Sequence, residues 1–284
     1  MIDSHAHLQD GAFARDLPGV LTRAVEAGVT RILVPGWDLA SSQAAVALSG
    51  ERGGVRLAAA VGIHPHVAAV EAGVGDWAAL ETLAADPAVV AVGETGLDYD
   101  RVRSPREAQL ANLRRHVALA VKLGKPLVLH CRSAPRRRDA QDELLAELER
   151  AGMGGSEWRA SFGARPPAVL HSYSGPIDHA ERALGLGLAI SFSGLVFRPG
   201  EEASAEVARL VPADRLLVET DAPYLAPPGT PRRNEPASVR RTVAWLAAKR
   251  SKDAAALEGD LGTSYERIFE SSSPQTGATS SDIS

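Results

Sequence analysis

The chain has 284 residues, 45% of them hydrophobic, a net charge of −4 and one cysteine. That length supports one large core, and α/β barrels of this size are often one domain. The composition argues against an intramolecular disulfide framework and fits a reducing, cytoplasmic setting; against a span of roughly 20 apolar residues; against a secretory signal at the N-terminus; and against a polycation that coats nucleic acid.

Apolar, strand-like runs alternate with helix-like segments along the chain. Ile2 to His5 is the first run. Leu17, Val20, Leu21 and Val25 recur at helical spacing and predict a helix over Asp16 to Gly28. Thr30 to Pro35 is the second strand, Leu39 to Gly50 a helix, and Val55 to Ile63 the third strand. Trp77 to Ala84 is helical, and Val89 to Glu94 is the fourth strand. Ser104 reads as the N-cap and Pro105 as the first residue of a helix that runs to Gly124. Pro126 to His130 is the fifth strand, followed by a helix over Asp139 to Gly152. Ala168 to His171, Leu186 to Phe192 and Arg215 to Glu219 are the last three strands. Gly152 to Pro167 reads as a mobile loop over one end of the molecule, flanking the mouth. Arg240 to Arg250 is helical, and Ala254 to Phe269 is a final helix that covers the barrel. Residues 271–284 are Ser/Thr/Gly-rich and are expected to be a disordered tail.

Eight strand–helix units predict an α/β fold, a closed (β/α)8 TIM barrel over residues 1–270. An open doubly wound sheet is the other architecture. The first strand is not followed by Gly-x-Gly-x-x-Gly, which argues against a dinucleotide-binding version.

The residues at the ends of the apolar runs carry the chemistry. The first run delivers His5 and His7, whose spacing puts both on one face of an extended chain. Later runs deliver His64, Glu94, His130, His171 and Asp221. A single histidine after a strand is usually a core or surface residue, and Asp in Thr-Asp-Ala-Pro is usually a turn former. Seven such residues at strand ends point instead to one site, because the C-terminal strand ends of a barrel form its active face. Imidazole and carboxylate donors suit Zn2+ or Mn2+, with Mg2+ also possible. Six ligands exceed the needs of one tetrahedral ion, so two divalent ions are expected, bridged by Glu94. His116 and His179 fall within helices and receive no role. His66 either supports a ligand from behind or is a solvated loop residue, and the loop is the reading taken; Cys131 is read as a small buried hydrophobe pointing away from the site.

The motifs Asp3-Ser4-His5-Ala6-His7-Leu8, Gly62-Ile63-His64-Pro65-His66, Gly93-Glu94-Thr95-Gly96-Leu97-Asp98-Tyr99, Leu129-His130-Cys131-Arg132, His171-Ser172-Tyr173-Ser174-Gly175, Glu219-Thr220-Asp221-Ala222-Pro223-Tyr224 and Arg233-Asn234-Glu235-Pro236 resemble the signature set of the TatD family. These are metal-dependent deoxyribonucleases among the amidohydrolase-like TIM barrels. The resemblance covers residue 2 to about residue 245. It implies His5, His7, Glu94, His130, His171 and Asp221 as metal ligands, and a phosphodiesterase acting on DNA, often as a 3′-to-5′ exonuclease. Two segments depart from the pattern: basic Ser133 to Arg138, and an extended Gly152 to Pro167. Tyr173 also stands where the family more often has Phe.

The expected mechanism is hydrolysis by a water activated between two metals, with Glu94 as bridge and Asp221 as ligand and proton acceptor. His64 and Arg132 are the candidate substrate-binding residues. Arg136, Arg137 and Arg138 either guide a DNA strand or form a solvated helix start. Tyr99, Tyr173 and Tyr224 either stack a terminal base or pack in the core, and packing is the reading taken. DNA is the expected substrate of a monomer with no membrane contact and no obligate protein partner. The alternative function is a barrel hydrolase for a small-molecule amide, lactone or phosphoester. Many such enzymes bridge their metals with a carboxylated lysine, where this chain offers Glu94.

Overall fold

The computed structural model describes residues 1–70 and 73–270; the expected tail lies outside the described residues. Nine strands alternate with ten α-helices among those residues. In chain order the first half comprises β1 (Ile2–Asp3), α1 (Leu17–Glu26), β2 (Arg31–Pro35), α2 (Leu39–Leu48), β3 (Gly50–Arg52), β4 (Val55–Val61), α3 (Val74–Ala84), β5 (Val89–Asp98) and α4 (Arg106–Leu123). The second half comprises β6 (Leu127–Arg132), α5 (Asp139–Arg150), α6 (Ser156–Phe162), β7 (Ala168–Leu170), α7 (Ile177–Gly185), β8 (Ala189–Phe192), α8 (Ser204–Leu210), β9 (Leu216–Val218), α9 (Val239–Arg250) and α10 (Ala254–Tyr265).

Eight strands pair in parallel in the order β1-β2-β4-β5-β6-β7-β8-β9, and β3 adds a short antiparallel edge on β4. The ends meet. Ser4 N–H donates to the Val218 carbonyl at 3.0 Å, and Ala6 bridges Ala222 in parallel. The result is a closed (β/α)8 barrel. Its strands are buried on both faces, as Ile32, Leu57, Val92, Leu127, Ile190 and Leu217 illustrate. This is why they read as continuous apolar runs and not as alternating ones.

Three boundaries differ from the sequence reading in ways that matter for the site. β5 continues past Glu94 to Asp98. Ser104 does not cap α4; its hydroxyl donates to the His66 carbonyl and accepts from Ala69 N–H, tying two loops together. Residues 152–167 connect a helix to the start of β7, so they lie at the N-terminal end of the strands and not at the mouth. They contain α6, whose Trp158 and Phe162 are buried. α10 packs against β1, and the turn after it packs against β5 and buries Ile268 and Phe269. As expected, it covers one end of the barrel. No helix among the described residues is long and apolar enough to cross a membrane.

Candidate metal centre

Each candidate residue is delivered by a local feature of the chain. The Ala6–Ala222 bridge keeps residues 5–7 extended, so His5 and His7 turn the same way, with their Nε2 atoms 3.3 Å apart. Beneath them buried Asp3 accepts from Thr220 N–H at 2.9 Å and Thr220 Oγ1 at 2.6 Å, joining β1 to the end of β9. On β5, Glu94, Gly96 and Asp98 share one face by strand alternation. Gly96 pairs with His130 and has φ +140; a Cβ there would collide with the His130 carbonyl. Only glycine lets β5 and β6 close at the level of the site. Asp221 sits at φ +56, a left-handed bend that Asp tolerates better than most residues.

Glu94 is 2% exposed and stands at the centre. Its Oε2 lies 3.3 Å from His5 Nε2 and 3.6 Å from His7 Nε2. Its Oε1 lies 2.9 Å from His171 Nε2, 3.0 Å from His130 Nδ1 and 3.2 Å from His64 Nε2. Asp221 Oδ1 approaches His7 Nε2 at 3.5 Å and His5 Nε2 at 3.9 Å. Three overlapping groups could each hold an ion: His5, His7 and Glu94; His5, His171 and Asp221; His64, Glu94 and His130.

The outer hydrogen bonds set which ring nitrogen faces inward. His7 Nδ1–H donates to the Pro35 carbonyl at 3.0 Å. His171 Nδ1–H meets Glu219 Oε1 at 3.1 Å, and His130 Nε2–H meets Asp98 Oδ2 at 3.2 Å. In the neutral rings the inward nitrogen is then a lone pair, and it faces carboxylate oxygen. Acceptors facing acceptors are held together by added protons or by a cation, so the donor set fits a divalent metal. His64 differs. Its Nδ1 accepts from His66 N–H at 3.1 Å, so the neutral ring carries its proton on Nε2 and donates to Glu94.

The charges agree with this arrangement. Burial opposes ionisation of Glu94, yet His171, His64, His5 and His130 hold its carboxyl well below the usual range. Burial also opposes Asp221, but the His7 bond and the His5 and His171 charges hold it low. Burial alone would lower the neighbouring imidazoles. Glu94 and Glu219 lift His171 well above its ordinary value, Asp98 and Glu94 lift His130, and Asp221 and Glu94 lift His7. His5 is lowered by burial and by His171. Burial pushes His64 down to about 4.

All seven strand-end residues therefore meet at one rim; His5 is fully buried, and the other six line a cleft of about 440 Å³ that Arg132 also lines. Three acids escaped the sequence reading, and one histidine takes the role it ranked second. Asp98 and Glu219 orient His130 and His171, Asp3 fastens β1, and His66 is not solvated but 2.7 Å from Asp98 through its Nε2. The alternation of residues 94, 96 and 98 was the available signal for Asp98. Arg101 and Arg103 also line the cleft. Of the arginines after His130, Arg137 pairs with Asp139, and Arg138 with Asp142 and Asp178. Tyr99 and Tyr173 are buried as expected, but Tyr224 is 54% exposed on the rim. Cys131 is half-buried and lines the cleft instead of pointing away. His116 Nε2 accepts from Ile63 N–H, and His179 meets the Tyr173 hydroxyl, so both serve packing.

A closed β/α barrel with imidazoles and carboxylates gathered at the C-terminal rim defines a class, the barrel hydrolases that work with bound metal. Residues 2–270 match the model of the TatD related DNase family, and the chain belongs to that family. It is 37% identical over 276 residues to the 3′-5′ ssDNA/RNA exonuclease TatD of Erwinia billingiae, covering 95% of this chain and 98% of that one. The protein of the same name from Klebsiella pneumoniae is 36% identical over 282 residues, covering 95% and 97%. Among solved structures, YJJV, a TatD homolog from Escherichia coli K12, aligns with a TM-score of 0.82 at 28% identity, covering 96% of this chain and 98% of that one. A lactonase from Listeria monocytogenes aligns over 94% of each chain at 14% identity and a TM-score of 0.59, a likeness of fold.

Proposed function

We propose that this protein is a metal-dependent exonuclease of the cytoplasm that removes nucleotides from the 3′ end of single-stranded DNA. The observation that carries the reading is the two-sided environment of Glu94. One oxygen faces His5 and His7, and the other faces His130 and His171. That is the arrangement a carboxylate adopts when it spans two cations.

In this reading His5, His7 and Asp221 would hold one divalent ion and His130 and His171 the other, with Glu94 as the ligand that would serve both. Bound there, Mg2+, Mn2+ or Zn2+ would lower the pKa of a water and neutralise charge on the phosphoryl oxygens. The protein's own groups do the rest. Asp221 reaches both His5 and His7 and is the acceptor for the proton of the attacking water. His64 carries its proton on the nitrogen that faces the site and offers it to a phosphoryl oxygen. Arg132, held by Asp100 at 2.7 Å, lines the cleft where the next phosphate lies. Asp98 and Glu219 keep the His130 and His171 rings in the orientation that leaves their lone pairs inward.

Replacement of Glu94 tests the reading. Glu94→Ala should lower metal-dependent hydrolysis of labelled single-stranded DNA by at least about a hundredfold while circular dichroism still reports a folded barrel. Near-normal activity in that variant would remove Glu94 from the centre. Wild-type protein that cleaves a lactone panel but no oligonucleotide would replace the nuclease with a small-molecule hydrolase.

A further inference from the structure

The cleft mouth is chemically divided, and barrel order sets the division. Trp37 follows β2 and Tyr224 follows β9, the strands on either side of β1. Arg101 and Arg103 follow β5, and Arg132 ends β6, across the barrel from β1. All five side chains line the same cleft.

The aromatic side is built around His7. The Trp37 ring stands nearly perpendicular to it at 5.4 Å, and the Tyr224 ring does so at 6.0 Å. Trp37 is fixed through its backbone: its carbonyl accepts from His64 N–H, and its N–H donates to Ser41 Oγ. The Tyr224 hydroxyl donates to Asp10 at 3.3 Å, which anchors the ring by its tip. More than half of Tyr224 is exposed, although it is a large side chain on a rim. Among the described residues, no lysine or arginine lines the cleft on this side. A phosphate gains nothing there, whereas the flat apolar face of a base does.

The opposite side has the reverse character. Arg101 and Arg103 are exposed, and neither has an ion-pair partner among the described residues. Most other arginines near the mouth are already paired with carboxylates: Arg132 with Asp100, Arg137 with Asp139, and Arg138 with Asp142 and Asp178. Free guanidinium groups beside a cleft are suited to a run of phosphates.

We propose that Trp37 and Tyr224 form the seat for the base of the terminal nucleotide being removed, and that Arg101 and Arg103 hold the phosphates of the chain that remains. The strand then crosses the cleft in one direction, with its 3′ end towards β1 and its body leaving over β5. The inference rests on the exonuclease reading and adds to it where each end of the substrate lies. Stacking on the terminal base is indifferent to sequence, because every base presents a π-face. Its contribution disappears when the last sugar carries no base.

The test uses full-length protein and oligothymidylates with 2-aminopurine at the 3′ or the 5′ end. Fluorescence is read in EDTA, so that binding is followed without turnover. The 3′ analogue should be quenched by the wild type, and quenching should be lost in Tyr224→Ala and Trp37→Ala. Tyr224 is exposed, so its replacement does not endanger the fold. Both variants should raise the Kd of an ordinary oligonucleotide by about tenfold, and by clearly less for one ending in an abasic sugar. Arg101→Ser with Arg103→Ser should leave the quenching in place and reduce the salt slope of binding by about 1.4. Quenching of the 5′ analogue instead, equal quenching at both ends, no quenching at either, or losses of equal size on base-ended and abasic oligonucleotides would overturn the proposal. A salt slope unchanged in the double variant would overturn its second half. Failure of the exonuclease reading would show separately, as absence of metal-dependent cleavage by wild type, while the fluorescence still reports which end is held.

Discussion

The carboxylate of Asp98 lies 3.2 Å from Nε2 of His130, the ring nitrogen that does not meet Glu94. The same oxygen is 2.7 Å from His66 Nε2. Burial opposes the Asp98 charge, and the two histidines hold its carboxyl well below the ordinary value. Asp98 therefore stays ionised and locks one tautomer of His130.

That lock makes the first prediction. Asp98→Ala should weaken binding of Mn2+ or Zn2+ by about 10–100-fold, measured by titration calorimetry. His66→Ala should have a smaller effect, because it removes one of the two histidine partners of Asp98 and leaves the His130 bond in place. Equal affinity in wild type and Asp98→Ala would mean that His130 is oriented by its packing alone.

Metal and protons compete for the same nitrogens. Glu94, Glu219, Asp98 and Asp221 raise His171, His130 and His7 against the opposing effect of burial. The sign follows from the raised folded-state values. Without metal, these histidines contribute stability that is fully present below their unfolded pKa of about 6.5 and is lost as pH rises through the folded values. Metal binds only the deprotonated rings. The Tm difference between metal-loaded and EDTA-treated protein should therefore widen as pH rises from 6 to 8, and binding near neutrality should release protons. The buffer dependence of the calorimetric enthalpy measures that release. A Tm difference that narrows with rising pH contradicts the assignment.

His116 should act in the opposite sense and far from the metal. It is fully buried on α4, accepts Ile63 N–H at 3.0 Å through Nε2, and donates to the Asn112 carbonyl at 2.8 Å. Burial pushes it down to about 4. Between pH 6.5 and 4 the unfolded chain binds this proton and the folded chain does not, so stability falls as pH falls. The loss is roughly 2 kcal/mol at pH 5. In EDTA, His116→Gln should lose less stability between pH 7 and pH 5 than wild type does, by about that amount, as read from urea midpoints. An unchanged difference would show that His116 is protonated in the fold.

Arg137 and Arg138 provide a contrast to the arginines that line the cleft. Their guanidinium groups are engaged by Asp139, Asp142 and Asp178 on the surface. Exposed pairs of this kind are screened by solvent and add little stability, and their local charge is largely balanced. Arg137→Ser with Arg138→Ser should leave the salt slope of single-stranded DNA binding within about 0.3 of wild type. A fall of about 0.7 per residue would return both to the phosphate track.

Several features were determined by the sequence alone. Continuous apolar runs such as Ile32 to Val34 and Leu127 to Leu129 specify buried parallel strands, because a strand covered on both faces has no polar side. Eight of them with intervening helices point to a barrel, and closure itself is seen in the Ser4–Val218 bond. Once the barrel is assumed, His5, His7, His64, Glu94, His130, His171 and Asp221 must share a rim, since Glu94 and His130 lie in the C-terminal halves of their strands and the others follow theirs by one to four residues. Tertiary structure decided the rest. The pairing of Asp98 with His130 and of Glu219 with His171 depends on how strands settle against one another, and it joins residues 32 and 48 positions apart. Residues 152–167 lie away from the mouth because they lead into a strand and do not follow one. The buried packing of Tyr99 and Tyr173 and the exposure of Tyr224 follow from neighbours brought in by other loops. Periodicity reports which face of an element is apolar; it carries no distance between side chains that the fold alone brings together.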